Sequence, residues 1–217
     1  MAIVPAGDPA AVMERVHAVV AEGADMVDIG DPAGGEADTR EEIERVVPFV
    51  AVVRDAYREL VIGVSTGRAE VALEAGAAGA DLLSGSAWWL AEVAAERGLG
   101  VAGPLAGAAR AVAAGVEPER IIVEAERIIV ELEGGGLDCG GLRGGGRLAE
   151  LVASGWPVMT SLPDREEAGS LAAAAVAAWL GARVFRVHRV RQARRVLSMV
   201  SAIRGDIPPA RAVRGLA

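Results

Sequence analysis

Short apolar runs of β type alternate with Ala-rich stretches of helical spacing along the whole chain, and few folds satisfy that alternation. A parallel sheet with crossover helices does, because each parallel strand needs a long connection that a helix supplies. Met1-Ala2-Ile3-Val4 reads as a first strand, and Pro9 to Gly23 as a helix closed by glycine. Met26-Val27-Asp28-Ile29-Gly30 is a second strand, and residues Arg40 to Tyr57 have helical spacing. The strand Leu60 to Val64 and the helix Arg68 to Ala78 follow, then Asp81-Leu82-Leu83 and the helix Trp88 to Arg97. Gly100-Val101-Ala102 precedes a short helix at Ala106 to Ala114, and Ile121-Ile122-Val123 is a strong strand. After an irregular stretch come a helix at Arg147 to Ala153 and a strand at Trp156 to Ser161. A helix at Glu166 to Leu180, a strand at Val184 to His188 and an amphipathic helix at Arg191 to Arg204 complete the series. Eight strands with helices between them close a parallel barrel. The expected fold class is therefore α/β, a parallel (β/α)8 barrel forming one domain over residues 1–217. Hydrophobic residues make up 52% of the chain and aromatics 3%, so Ala, Val, Leu and Ile must fill the core.

One region resists this reading. Glu119-Arg120-Ile121-Ile122-Val123-Glu124 recurs as Glu126-Arg127-Ile128-Ile129-Val130-Glu131, a local duplication. The second copy is either an added strand or the start of a helix, because a four-residue apolar run fits both. Gly134 to Gly146 holds eight glycines in 13 positions, which is costly to order and is expected to be a loop.

The formal charge of -8 repels polyanions, so nucleic acid is not expected as a partner. Six arginines and a histidine between Arg183 and Arg195 make one region an anion-friendly rim or a solvated helix face. Cys139 is the single cysteine; it cannot form an internal disulfide and has no neighbouring histidine to activate it, which points to the cytoplasm. No apolar run of about 18 residues and no signal-peptide pattern is present, so no membrane association is expected. His17 and His188 are far apart and no Cys/His cluster exists, so no metal is expected. Trp88-Trp89 fits core or interface packing better than a stacking platform.

Particular phrases add a resemblance. Ala21-Glu22-Gly23-Ala24-Asp25-Met26-Val27-Asp28-Ile29-Gly30 resembles the second-strand motif of dihydropteroate synthases. So do Val64-Ser65-Thr66-Gly67-Arg68 with Ala78-Gly79-Ala80-Asp81, Gly155-Trp156-Pro157-Val158, and Phe185-Arg186-Val187-His188-Arg189-Val190. The set spans the chain in consistent order, and the Pro208 to Ala217 tail looks most like the actinobacterial second paralogue of that family. The resemblance implies a pterin-binding TIM barrel whose members condense a pterin pyrophosphate with 4-aminobenzoate at the C-terminal rim.

Against that pattern the rim is reduced and the βα loops are shortened. The family's first loop carries an Asn that serves a magnesium bound to pyrophosphate; here Pro5-Ala6-Gly7-Asp8-Pro9 follows Val4, so no cofactor is expected. The second loop lacks the family's Thr and Arg at Asp31-Pro32-Ala33-Gly34-Gly35-Glu36. The pterin-pocket equivalents are Asp28, Ser65, Ser84 and Glu124: Ser65 replaces an aspartate, Ser84-Gly85 an Asn-Asp pair and Glu124 an aspartate, while at the seventh strand Arg165 replaces a lysine. Arg186 and His188 match the family's anion-binding Arg-x-His, and alternation along a strand places both on one side.

The resemblance thus implies a degenerate synthase-like barrel, without catalysis, that keeps at most a small anionic ligand at Arg186, His188 and Arg165 and forms a homodimer. The alternative is an active enzyme of the folate/pterin type, or one acting on another small phosphorylated or carboxylated substrate with Glu124 as acid or base. Arg186 and His188 read equally as structural groups paired with Glu124 or Asp28. Asp28 itself reads as a hydrogen-bond acceptor, and Ser65, Thr66 and Ser84 lack an assignable base.

Overall fold

Alternation of side chains along each run is what the architecture rests on, because a strand in a barrel has one face toward the lumen and one toward the helices. The computed structural model describes the chain except for residues 6–8, 31–37, 88, 126–129, 132–136, 139–144, 163–166 and 209–217. Eight strands are present: β1 (Ala2–Val4), β2 (Met26–Gly30), β3 (Val61–Ser65), β4 (Leu82–Ser84), β5 (Gly100–Gly103), β6 (Ile121–Ala125), β7 (Val158–Ser161) and β8 (Val184–Arg186). They lie side by side in chain order, every pair parallel. A parallel bridge between Ala2 and Val187 joins the two ends of the sheet. There the Ile3 N–H donates to the Val187 carbonyl at 3.2 Å, and the Val187 N–H to the Met1 carbonyl at 3.0 Å. The expected (β/α)8 barrel is the fold.

One helix follows each strand: α1 (Pro9–Ala21), α2 (Thr39–Ala56), α3 (Ala69–Ala77), α4 (Leu90–Arg97), α5 (Leu105–Ala114), α6 (Gly145–Ala153), α7 (Glu167–Leu180) and α8 (Val190–Arg204). Their starts and stops follow local chemistry. Asp38 caps α2 by accepting from the Glu41 N–H at 2.8 Å, satisfying a donor that the helix cannot pair internally. Gly23, at φ 96°, ends the turn after α1 in a conformation that a Cβ would strain. At the other end of α2, Arg54 donates to the carbonyls of Tyr57, Arg58, Leu60 and Gly79 and pairs with Asp81. Asp81 also accepts from the Ile62 N–H at 2.8 Å, so this pair holds the bottoms of β3 and β4 to α2.

Two apolar layers result. Outward residues such as Val27, Ile62, Leu83, Val123, Val158 and Phe185 pack with the helices in the main core. Met1, Met26, Leu82, Ala102, Ile122, Met159 and Val184 form a separate cluster, which is the lower filling of the lumen. The scarcity of aromatics is met by close-packed Val and Ala on the helix side, as at Val46, Val50, Ala72 and Ala94, all nearly inaccessible to solvent.

Some boundaries differ from the sequence reading. Val130–Glu131 pairs antiparallel with Leu137–Asp138, so the second copy of the duplication contains a strand segment. The Gly-rich stretch is therefore not all loop, since it supplies one side of this antiparallel pair. Its last two glycines open α6, because Leu148 and Leu151 bury the apolar face of that helix and carry its first turn. The helix placed from Trp88 begins at Leu90; Trp89 is its N-cap and is half-buried against the main core, while Trp88 lies outside the described residues. β8 ends at Arg186, with Val187 continuing only as the closing bridge.

Candidate site at the barrel mouth

The filling of the lumen predicts where polar side chains must gather. Two residues on from Met26, Leu82, Ile122, Met159 and Val184 stand Asp28, Ser84, Glu124, Ser161 and Arg186, which therefore face the same lumen one layer higher. Ser84, Ser161 and Arg186 end their strands, Glu124 is one residue from the end of β6, and Asp28 is at the middle of β2, while Ser65 ends β3. In a (β/α)8 barrel that end carries chemistry.

Arg186 organises this layer. Its Nε lies 3.0 Å from Asp28 Oδ2, and its Nη1 donates to Glu124 Oε1 at 2.9 Å. Asp28 is on β2 and Glu124 on β6, each two strands away from β8 on opposite sides, so the guanidinium spans the lumen. Ser65 Oγ lies 3.0 and 2.9 Å from the two oxygens of Asp28, and Ser161 Oγ donates to Glu124 Oε1 at 3.2 Å. Asp28 and Arg186 are buried, and Glu124 is partly open. Burial pushes the Asp28 carboxyl above the usual carboxylate range, with Glu124 adding to the effect, against the opposing pull of Arg186 and of the Ser65 hydroxyl.

Satisfaction is incomplete. Arg186 Nε meets Asp28 in distance but not in hydrogen-bond alignment, and Arg186 Nη2 has no partner. Ser84 Oγ is likewise buried with none. Among the described residues the mouth thus holds two carboxyl groups, one guanidinium, and three polar atoms without hydrogen bonds: Arg186 Nε, Arg186 Nη2 and Ser84 Oγ.

Asp28, Ser65, Glu124 and Arg186 are brought together, with Ser84 in the same layer. His188 is not joined to them: it lies beyond the end of β8, half-buried, beside Leu162, Glu167, Leu171 and Arg189. Its carbonyl accepts from Arg15 Nη2 at 2.9 Å, and no hydrogen bond or ion pair among the described residues links it to Arg186. Arg165 lies outside the described residues, as does Cys139. Among the rim arginines, Arg189 pairs with Glu167 at 3.0 Å and Arg194 with Asp25 at 2.6 Å, so these behave as a paired helix face. Among the described residues no group of three His, Cys, Asp or Glu could hold a metal, and the two carboxyl groups of the mouth are both engaged by Arg186.

Two participants escaped the sequence reading. Ser161 is in register with Arg186, and strand alternation from Met159 was the signal for it. Glu42, in the first turn of α2, lies on the same buried face as Val46, Phe49, Val50 and Val53, a spacing that marks a carboxylate turned inward. It accepts from Thr66 Oγ1 at 2.6 Å and pairs with Arg68, bracing the turn after β3. Ser65 and Thr66 therefore serve carboxylates, and no histidine among the described residues is bonded to either.

Comparison with known proteins agrees with this geometry. Residues 4–98 match the family model described as pterin binding enzyme. An inactive dihydropteroate synthase 2 from Mycobacterium leprae is 40% identical, covering 93% of this chain and 85% of that protein. A dihydropteroate synthase from the same organism is 28% identical over 90% of this chain and 86% of its own. The solved structure of Mycobacterium tuberculosis Rv1207 superposes with a TM-score of 0.80 at 39% identity, covering 97% of this chain and 93% of that one. By sequence, fold and the order of its strand-end residues, the chain belongs to the dihydropteroate synthase family.

Proposed function

We propose that this barrel is a catalytically silent member of its family, with the frame kept and the reaction lost. The observation that carries the reading is the bridge of Arg186 to Asp28 and Glu124. A guanidinium held on two sides by its own carboxylates is a poor receptor for an anionic leaving group, since an arriving anion must displace a buried partner and face two negative charges. Losses at the rim support the same reading. Recognition of a flat heterocycle needs several buried donors and acceptors, each worth about 1 to 3 kcal/mol when left unpaired, and here serines stand at Ser65 and Ser84. The alignment with the inactive M. leprae relative runs over 253 positions, more than the 217 residues of this chain, so even that relative carries segments that this chain lacks.

Pteroate formation from the pterin pyrophosphate and 4-aminobenzoate is the direct assay. No product above the uncatalysed background is expected, and sustained turnover would overturn the proposal.

A second reading, a retained site for a small phosphorylated or carboxylated ligand, is favoured by one observation: Arg186 Nη2 and Ser84 Oγ are buried without hydrogen-bond partners in the same layer. Here Arg186 would donate to the ligand, His188 and Arg165 would flank it from the rim, and Glu124 would be the acid or base. Melting temperature in phosphate, pyrophosphate, pterin and folate separates the two readings, because a ligand that binds only the folded state must raise it. No response supports the silent barrel, and a rise of several degrees with one anion supports the retained site.

The proposal places the protein in the cytoplasm as a self-associating molecule. The chain's one cysteine needs no oxidising compartment, and among the described residues no helix is long and apolar enough to cross a membrane.

A further inference from the structure

A cavity of about 220 Å³ opens between α4, α5 and the outer side of β5 and β6. It is on the helix side of the sheet, since Val101 and Ile121 line it and pack in the main core, not in the lumen cluster. The space comes from small residues, for half of those lining it are Gly or Ala, and two glycines make room in different ways. At Gly103 a Cβ would meet the Gly85 carbonyl oxygen at 2.7 Å, so the backbone after β4 forbids a larger side chain there. At Gly107 a Cβ would meet nothing within 4 Å, so packing does not require glycine. A glycine in the first turn of α5 weakens the helix and leaves the gap open, two costs that alanine would reduce. An interface that only holds helix to sheet has no use for either.

The lining defines what fits. Leu90, Val101 and Ile121 supply branched apolar walls, and among the described lining residues Arg110 alone is charged. Arg110 ties α5 to α4 by donating from Nε and Nη2 to Glu92 Oε1 at 3.0 and 2.6 Å, with both side chains about half exposed. An ion pair so exposed is worth little, so a carboxylate from solution can take the place of Glu92. Once released, Glu92 is still in the first turn of α4, where the helix dipole favours a negative charge. Both helices begin at the cavity, which adds two positive dipole ends to the guanidinium. A cavity of about 150 Å³ takes benzene, so this one takes an apolar group of roughly ten non-hydrogen atoms.

We propose that the α4–α5 cavity binds a small monocarboxylic acid, with its apolar body against Leu90, Val101 and Ile121 and its carboxylate on Arg110. The site is separate from the barrel mouth and rests on neither reading of it.

Isothermal titration calorimetry of the full chain tests this, with 3-phenylpropionate as the acid and 3-phenylpropanol as its neutral counterpart. The acid is expected to bind one to one with a Kd of roughly 100 μM, and the alcohol about tenfold more weakly. Gly107→Val occupies the space and should weaken both ligands at least about tenfold, with Gly107→Ala in between. Arg110→Gln should weaken the acid about tenfold and leave the alcohol unchanged. Circular dichroism and thermal midpoints verify the folds, and Gly107→Ala decides the matter if Gly107→Val does not fold. No saturable binding of the acid up to about 5 mM overturns the site. So does binding indifferent to the Gly107 substitutions, as an acid held by Arg186 in the mouth would be. Equal affinity for acid and alcohol, or an Arg110→Gln chain that binds the acid as wild type does, overturns the role of the carboxylate. Pteroate assays bear on catalysis alone, so the two proposals fail separately.

Discussion

Arg186 on the last strand and Asp28 on the second meet at 3.0 Å inside the lumen, both more than nine-tenths removed from solvent. Asp28 shares the cation with Glu124, and such a buried arrangement is worth far less than it costs to break. Arg186→Met is therefore expected to lose about 3 to 5 kcal/mol in urea unfolding, because it leaves two carboxyl groups facing each other without a counter-ion. Adding Asp28→Asn and Glu124→Gln to that variant should recover most of the loss. A single variant within about 1 kcal/mol of wild type would show that the guanidinium carries little of the mouth's stability.

Protonation of Asp28 gives a second expectation. Its folded pKa is raised, so the native state binds the proton more tightly than the unfolded chain does, and stability falls as pH climbs from the ordinary aspartate range to the raised value. Asp28→Asn imitates the protonated form and lacks this component. Unfolding free energies from about pH 4 to pH 8 should show wild type losing ground to Asp28→Asn as pH rises. A gain instead would mean that attraction to Arg186 outweighs burial.

Beneath the barrel, Arg54 is a fork with several backbone acceptors and a carboxylate, its side chain 25% exposed. Lysine offers a single compact ammonium and cannot reach the Gly79, Leu60 and Asp81 acceptors together. Arg54→Lys is expected to cost about 1.5 to 3 kcal/mol, the range for hydrogen bonds to a charged group. Thermal unfolding checks it, and Arg40→Lys, at an exposed i, i+4 pair, should change almost nothing.

Gly30 tests the register of the rim. At φ 131° a Cβ there would sit 2.4 Å from the Ser65 carbonyl oxygen, so the obstruction is backbone and cannot swing away. Gly30→Ala should destabilise by more than about 2 kcal/mol and shift the end of β3 that carries Ser65. Gly67→Ala, where nothing lies within 4 Å, is the matched control.

How far the sequence could be read follows from what each signal depends on. The period of two in Met26-Val27-Asp28-Ile29 and of 3.6 in α2 is local, so strand order, helix order and closure into a barrel were all legible before any coordinates. The approach of Asp28, Ser65, Glu124 and Arg186 was legible in part, since each lies in the C-terminal half of a strand, and alternation along parallel strands brings such positions to one lumen. Pairing of Arg186 with Asp28 or Glu124 was one of the two readings open from the sequence, and the structure bears it out; that His188 would stand apart was not legible, because the ladder stops at Arg186 and Val187 turns to meet Ala2. Glu42 was missed because a glutamate near a helix start ordinarily reads as a solvated favourable charge. The pairing of Leu137–Asp138 with Val130–Glu131 was hidden by glycines, which carry no side-chain pattern to read.

The bridge between Ala2 and Val187 bears on how such a protein changes over time. Because the hoop is fastened strand to strand, its integrity does not depend on the turns that crown it. Substitutions and deletions in those turns erode the old chemistry while the frame stays intact. A lineage can therefore shed a reaction piecemeal and still inherit a sound scaffold.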